Sequence, residues 1–310
     1  MKPLHVPTPL WESRPLSDLL GTRVFLKMEA LQPVGSFKIR GIGRACQAGK
    51  DSGAERLIAS SGGNAGYAVA YAGQRLGMQV TVYVPGSTRE WMRAAIRREG
   101  ATVIEHGESW DDSHAHALQV ARKEGAAYIH PFDDPLLWSG HSTLIDEIAA
   151  KGIKPGLVVL SVGGGGLLCG VLEGLHRVGW TDVPVLAVET EGAASLAESV
   201  KAGRLMTLRA ITSIATSLGA RTVAAEAFAW TGRHPVTPWI VPDRAALGAC
   251  FRFAEDHRIL VEPACGAALS AVYDRADPLR ARESVLIIVC GGAGVNFSLL
   301  EDWKHRILKR

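Results

Sequence analysis

LVVLSVGGGGLLCGVLEGLHRVG, residues 157–179, is the stretch that decides the fold. Its first six residues form an apolar, valine-rich run of strand length; four glycines follow, and then Leu167, Leu168, Val171, Leu172 and Leu175 recur at helical spacing. A strand that passes through a glycine turn into an amphipathic helix is the repeating half of a βαβ unit. The pattern recurs on both sides. VFLKME (24–29) precedes FKIRGIGRACQAG (37–49), LIASS (57–61) precedes NAGYAVAYAGQRLG, VTVYVP (80–85) precedes TREWMRAAIRREG, and ATVIEHG precedes DSHAHALQVARKEG. Toward the C-terminus VPVLAVE (183–189) and SVLIIVC (284–290) follow, the latter leading into a last helix, NFSLLEDWKHRILK. Such alternation predicts an α/β chain whose parallel sheets are covered by helices on both faces.

A chain of 310 residues with 47% hydrophobic content has apolar material for one or two globular units. The opening MKPLHVPTPLWESRP holds no apolar stretch of signal-peptide length, and no later segment is long enough to cross a bilayer, so a cytoplasmic protein without a membrane partner is expected. The five cysteines, Cys46, Cys169, Cys250, Cys265 and Cys290, are odd in number and never spaced C-x-x-C, which argues for reduced thiols rather than disulfides or a zinc site. The net charge of +3 comes from interspersed acids and bases. The small cluster Arg93, Arg97 and Arg98 lacks interleaved aromatics, so nucleic acid is not the expected partner.

In open parallel sheets ligands collect beyond the carboxyl ends of the strands. The turns at those ends read SSGGNAG (60–66), SVGGGGLL (161–168) and CGGAGVN (290–296). Glycine lets backbone amides approach a ligand, and the following helix N-terminus offers unpaired N–H groups, so such a turn suits an anion. GGGG is a candidate phosphate cradle, and SSGGN adds hydroxyls and an amide suited to a carboxylate; the alternative is that the glycines only permit tight turns. The dinucleotide fingerprint G-x-G-x-x-G fails, because its third glycine is replaced by Leu168 in one turn and Phe297 in another, and no P-loop motif occurs. A phosphate site without a nucleotide motif points to a smaller phosphorylated cofactor.

QPVGSFKIRG (32–41) places Lys38 at a helix start, after a turn made by Pro33 and Gly35. A buried lysine there loses its proton more readily and becomes a free amine suited to imine chemistry; the alternative is a solvated lysine paired with an acid. Together GSFKIRG, SSGGNAG, SVGGGGLLCG, EPACGAAL and IVCGG, in this order along nearly the whole chain, resemble the fold type II pyridoxal-phosphate enzymes, and within them the serine dehydratase and threonine deaminase group.

The resemblance implies two doubly wound α/β domains with pyridoxal 5'-phosphate in the cleft between them. The smaller domain would span 39–131, and the larger 1–38 with 132–310. Lys38 would hold the cofactor as an imine and later act as the base, with Phe37 packed on the ring. Gly163, Gly164, Gly165, Gly166 and Leu167 would hold the phosphate, Asn64 the ring oxygen, and Ser61, Gly62, Gly63 and Asn64 the carboxylate of a small amino-acid substrate. Cys290 would face the pyridine nitrogen; a neutral thiol stabilises a protonated ring less than an aspartate would, which favours elimination over transamination. Glu189, Ala193 and Leu218 would bind a monovalent cation such as K+. The implied activity is dehydration and deamination of L-serine or L-threonine to pyruvate or 2-oxobutanoate, by a homodimer. One departure stands out: liver-type serine dehydratases carry alanine where this chain has Gly62.

DDSHAH (111–116) reads as a solvated helix start rather than a metal site, since His114 and His116 lie on different helix faces. Two other readings of the chain remain: another reaction on the same scaffold, such as serine racemisation, β-replacement or hydroxyaspartate dehydration, and a non-catalytic small-molecule-binding protein.

Overall fold

The computed structural model describes residues 2–308 and divides the chain into two compact units. One contains the chain through Val6 together with Gln32–His141; the other contains Pro7–Leu31 and the chain from Ser142 onward. In chain order the second unit supplies β1 (Leu10–Glu12), α1 (Arg14–Leu20) and β2 (Arg23–Lys27). The first unit follows with α2 (Lys38–Asp51), β3 (Arg56–Ala59), α3 (Asn64–Leu76), β4 (Gln79–Val84), α4 (Glu90–Arg98), β5 (Thr102–Glu105), α5 (Trp110–Glu124), β6 (Ala127–Ile129) and α6 (Pro135–His141). The chain then returns to the second unit through α7 (Thr143–Ala149), β7 (Val158–Ser161), α8 (Gly166–Arg177), β8 (Val185–Thr190), α9 (Ser195–Ala202) and α10 (Ala225–Trp230). It ends with β9 (Val236–Val241), α11 (Asp243–His257), α12 (Pro263–Tyr273), β10 (Ser284–Ile288) and α13 (Phe297–Trp303).

Among the described residues the first unit holds a parallel sheet in the order β5-β4-β3-β6. The second holds the order β1-β2-β10-β7-β8-β9, parallel except for the antiparallel edge strand β1. Each sheet is doubly wound. In the first, the chain runs outward from β3 through β4 to β5 and then crosses to β6; in the second it runs from β7 to β9 and then crosses to β10. The strand order therefore reverses beside β3 in one sheet and between β7 and β10 in the other, the positions where such sheets leave a crevice for ligand. The three glycine turns follow β3, β7 and β10.

The central strands β7 and β8 are buried at every residue, as expected where helices cover both faces. Helix α12, buried along its whole length, packs on β7, β8 and α11. Exposure rises at the edges: β5 shows three of its four residues to solvent, and β9 carries Pro238, whose missing N–H is tolerated on an outer strand. No described helix is long and apolar enough to cross a membrane.

The unit boundaries differ from 39–131. Gln32–Lys38 and Phe132–His141 belong with the four-stranded unit because α6 packs directly on α2. A Cβ built on Gly41 would lie 2.5 Å from the Leu137 carbonyl oxygen, and one on Gly140 would lie 2.5 Å from that of Arg40, so only glycines permit the approach. The last helix is also shorter than NFSLLEDWKHRILK suggested: α13 ends at Trp303 and Lys304–Leu308 widens into a π-helical turn.

A buried polar cluster ties the N-terminal segment of the second unit to its sheet. Lys27 and Glu29 are fully buried; Lys27 Nζ donates to the Thr8 carbonyl at 2.8 Å and pairs with Glu147, while Thr8 Oγ1 donates to Glu29 at 2.6 Å. Glu147 keeps 21% of its side chain exposed, so removing Lys27 leaves a partly solvated charge, at a cost of up to the about 3–5 kcal/mol of a fully buried pair. Lys27→Met is therefore expected to lower the free energy of unfolding by up to that amount, read as a lower denaturant midpoint at unchanged slope, and Lys27→Met with Glu147→Leu to recover part of it; an unshifted midpoint in the single variant would show the pair to be energetically neutral.

Candidate active site

In the four-stranded unit Lys38 is the first residue of α2, preceded by Phe37 in the N-cap position. The tight turn before it uses Gly35 at φ +69°, with the Gly35 amide donating to the Gln32 carbonyl. Lys38 is half-buried; its Nζ donates to the Pro131 carbonyl at 2.6 Å and lies 5.2 Å from the centre of the Phe37 ring. Phe37 in turn meets the buried His141 edge-on at 4.8 Å. Burial, with the charge of Lys38 adding to it, holds His141 well below the usual imidazole range, and burial with His114 and Lys38 pulls His130 down to about 3. His130 Nδ1 accepts the Asp133 amide at 2.7 Å, which fixes this ring as neutral with its proton on Nε2. Lys38 is thus flanked by two neutral imidazoles, and neither supplies a competing positive charge.

The loop Ser61–Gly63 leaves β3 and opens α3, whose first residue is the buried Asn64. The Gly63 amide donates to Ser61 Oγ at 3.3 Å, folding the hydroxyl over the loop. A Cβ on Gly66 would sit 1.7 Å from the Ser61 carbonyl oxygen, so that glycine is what lets the helix start so close beneath the loop. Gly62 faces a different neighbour: a Cβ there would come within 2.3 Å of Thr88 Oγ1 and 2.5 Å of Thr88 Cγ2. Alanine at this position must displace Thr88 or the loop.

In the six-stranded unit the turn after β7 leads into the twelve-residue helix α8 through Gly165, at φ +89°. A Cβ on Gly165 would lie 2.4 Å from the Ala227 Cβ, and one on Gly163 would lie 2.7 Å from the Leu218 Cα. The Gly164 carbonyl accepts from the Ala224 amide at 3.0 Å, pinning the loop to the start of α10. This is a bare-backbone loop at the N-terminus of a helix, an arrangement suited to an anion, and it packs so closely on Leu218 and Ala227 that a side chain at Gly163 or Gly165 would force it to shift.

Cys290 ends the strand run of β10 and is buried. Its hydrogen bond with Cys265, followed by burial and the nearby Glu262, pushes the thiol well above its ordinary range, so it is neutral. The turn beyond it is shaped by Glu262: Gly294 donates its amide to Glu262 Oε2 at 3.2 Å, and a Cβ on Gly292, at φ +133°, would fall 2.0 Å from Glu262 Cδ.

Of the cation candidates, Leu218 lies against Gly163, as above. Glu189, at the end of β8, is fully buried and accepts the Leu196 and Ala197 amides at 2.8 Å each, capping α9. Burial raises its carboxyl to about 7 against the lowering effect of those amides. Ala193 is buried in the turn between them, its amide donating to the Thr190 carbonyl. Among the described residues no group of three or more His, Cys, Asp or Glu side chains is placed to hold a metal.

The pyridoxal-phosphate-dependent enzyme family model matches residues 1–291. The chain belongs to this family. A Mus musculus protein named L-serine dehydratase/L-threonine deaminase is 47% identical, covering 98% of this chain and 96% of its own. Among solved structures, a fungal L-serine ammonia-lyase from Rhizomucor miehei has a TM-score of 0.94 at 38% identity, covering 99% of this chain and 100% of its own. A maize serine racemase has a TM-score of 0.89 at 25% identity, covering 99% of this chain and 94% of its own. The fold type II architecture and the family expected from the sequence hold. The residues fit the family's cofactor: a bare-backbone glycine loop at a helix N-terminus, a lysine at a helix start among neutral imidazoles, and a neutral thiol beyond a strand end.

Sequence reasoning gave no role to Thr88, His130, His141 or Glu262. The local signal was present for two of them, in the His-Pro pair after a strand and in the acid that begins EPACGAAL.

Proposed function

We propose that the protein is a pyridoxal-phosphate-dependent ammonia-lyase that converts L-serine, and with it L-threonine, to the 2-oxo acid and ammonia. The observation that carries this reading is the near-full-length 47% identity to the Mus musculus protein of that name, against 25% to the racemase of the same fold. The intact glycine loop, the Lys38 environment and the neutral Cys290 thiol support it.

In this reading Gly163, Gly164, Gly165, Gly166 and Leu167 hold the cofactor's phosphate, Phe37 packs on its ring, Asn64 donates to its ring oxygen, and Cys290 meets its pyridine nitrogen. When bound, the cofactor supplies an electron sink for the α-carbon of the amino acid joined to it. Ser61, Gly62, Gly63 and Asn64 hold the substrate carboxylate. Lys38 Nζ is the covalent anchor and, once the substrate amine has replaced it, the base that takes the α-proton. With the β-hydroxyl lost as water and Lys38 back in its place as anchor, the freed enamine would tautomerise to the imine, which water hydrolyses to the 2-oxo acid and ammonia. Glu189, Ala193 and Leu218 would hold a monovalent cation, as the resemblance implies. The cytoplasmic location is supported by the odd number and scattered spacing of the five cysteines, which favour reduced thiols. The homodimer follows from the resemblance.

Activity is read as pyruvate formed from L-serine by the holoenzyme, alongside chiral analysis for D-serine. Pyruvate as the main product supports the lyase; D-serine without pyruvate would make the protein a racemase.

The crowding of Gly62 by Thr88 bears on substrate choice. Gly62→Ala is expected to change kcat/KM by about tenfold, since a misplacement near 1 Å costs up to about a hundredfold, and to alter the serine-to-threonine ratio. Thr88→Ser in that background removes the closest methyl and is expected to restore part of the loss. Unchanged kinetics on both substrates would refute the coupling.

A further inference from the structure

A hydrogen-bonded chain runs from α5 to the residue just before the substrate loop. His114 Nδ1 lies 2.6 Å from the Tyr128 hydroxyl, which lies 2.6 Å from Ser60 Oγ. Ser60 is fully buried and stands between β3 and Ser61. The register explains the meeting. Tyr128 pairs with Ile58 across the parallel β6–β3 ladder, and Ser60, two residues farther on, projects from the same face of its strand. Helix α5 covers that face, packing Ala117 and Ala121 on Ile58, and His114 lies one turn earlier, above the end of the sheet. The helix start is itself fixed by a capping box between Ser109 and Asp112. His116 lies apart, stacked on His106. The DDSHAH stretch is thus not simply a solvated helix start, because one of its histidines is turned into the protein.

The donors and acceptors of this chain allow only a directed arrangement. Each hydroxyl has one proton, so a neutral His114 accepting on Nδ1 makes Tyr128 its donor and commits the Ser60 proton to Tyr128. A doubly protonated His114 donates instead, reverses both bonds and frees the Ser60 proton. Three surroundings set the balance. Trp110 stacks on His114 at 4.7 Å and helps bury it, Asp111 on the same helix favours its charge, and the ring of His130 on the β6 side lies 5.3 Å away and is neutral. Burial outweighs Asp111, and His114 is lowered below the usual imidazole range, so the ring is neutral at neutral pH, and with its proton on Nε2 it takes the accepting arrangement.

We propose that His114, Tyr128 and Ser60 form a positioning relay that sets the geometry of the loop Ser61–Asn64 and thereby the affinity for the amino-acid carboxylate. This rests on the ammonia-lyase reading of that loop. The relay residues are positioning residues in this scheme: they act through the Ser60–Ser61 peptide, whose orientation follows where Ser60 Oγ is tethered.

The test uses the holoenzyme and L-serine. Tyr128→Phe is expected to raise KM by about tenfold, the size of one lost hydrogen bond, while kcat falls less than about threefold. Ser60→Ala is expected to match it, and the double variant to be no worse than either alone, because all three break one chain. His114→Asn keeps a donor and acceptor near the Nδ1 position; it is expected to retain the wild-type KM at neutral pH and to lose the change in KM that wild type shows as pH falls through the lowered His114 value. Nitrogen-15 histidine spectra give a readout independent of turnover: His114 Nδ1 unprotonated at pH 7.5 in wild type, with a shifted resonance in Tyr128→Phe. An unchanged KM in Tyr128→Phe, additive Ser60 and Tyr128 effects, or a protonated Nδ1 at that pH would each overturn the relay. Failure of wild type to form pyruvate from L-serine would instead overturn the ammonia-lyase reading, with the nitrogen spectra still deciding whether the hydrogen-bonded chain exists.

Discussion

Lys38→Ala is expected to abolish the absorption band near 410–420 nm that a protonated cofactor imine gives, and to reduce 2-oxo acid formation from L-serine by about a thousandfold or more. Two functions are lost at once in the proposed scheme, the covalent anchor and the base for the α-proton, and no other side chain around Lys38 can replace either. His130 is neutral, but its Nδ1 is already occupied as acceptor to the Asp133 amide, and the buried His141 is packed against Phe37. The fold should survive, because Lys38 is half-buried and alanine suits the first turn of α2. A variant that keeps both band and turnover would remove Lys38 from the mechanism; one that loses the band but keeps turnover would separate anchor from base.

Gly165→Ala carries the second large effect. The residue sits at φ +89°, where an L side chain is strained, and its new Cβ would lie 2.4 Å from Ala227 and 3.0 Å from a methyl of Val223. Neither neighbour is the mobile end of a long side chain, so the loop or the start of α10 must shift. Cofactor affinity is expected to fall by about a hundredfold, the equivalent of about 2.7 kcal/mol, read by titrating the apoprotein with pyridoxal phosphate and following the imine band. A thermal melt of the apoprotein distinguishes a damaged cradle from a damaged fold: an affinity loss with an unchanged melt locates the effect in the loop. Full affinity in this variant would show that the glycine turn after β7 is not the phosphate site.

The glycine turns were legible because strand, turn and helix each leave a periodic trace, and the topology then explains why three of them matter: they follow β3, β7 and β10, where strand order reverses. Strands β1 and β6 were not legible, since three residues are too few for alternation to register, and Pro238 masked β9. The unit boundary failed for a related reason. Gly41 and Gly140 allow α6 to lie against α2, a long-range contact with no local signature. Thr88 was invisible in the same way, because its importance lies in the Cβ that Gly62 lacks. In DDSHAH the spacing correctly separated His114 from His116, but only the β6–β3 register shows which of them turns inward.

The partition of these residues between two sheets bears on how the scaffold diversifies. The glycine turn after β7 and the thiol after β10 hang from the six-stranded sheet, whereas Lys38, the Ser61–Asn64 loop and Thr88 belong to the four-stranded unit. Each set is held by its own core, so drift in Thr88 or the His114 relay leaves the packing beneath Gly163–Leu167 intact. In the proposed scheme substitutions at Thr88 or in the His114 relay could therefore change which amino acid is accepted while the phosphate loop stays as it is, with Lys38 the one coenzyme anchor that shares their core.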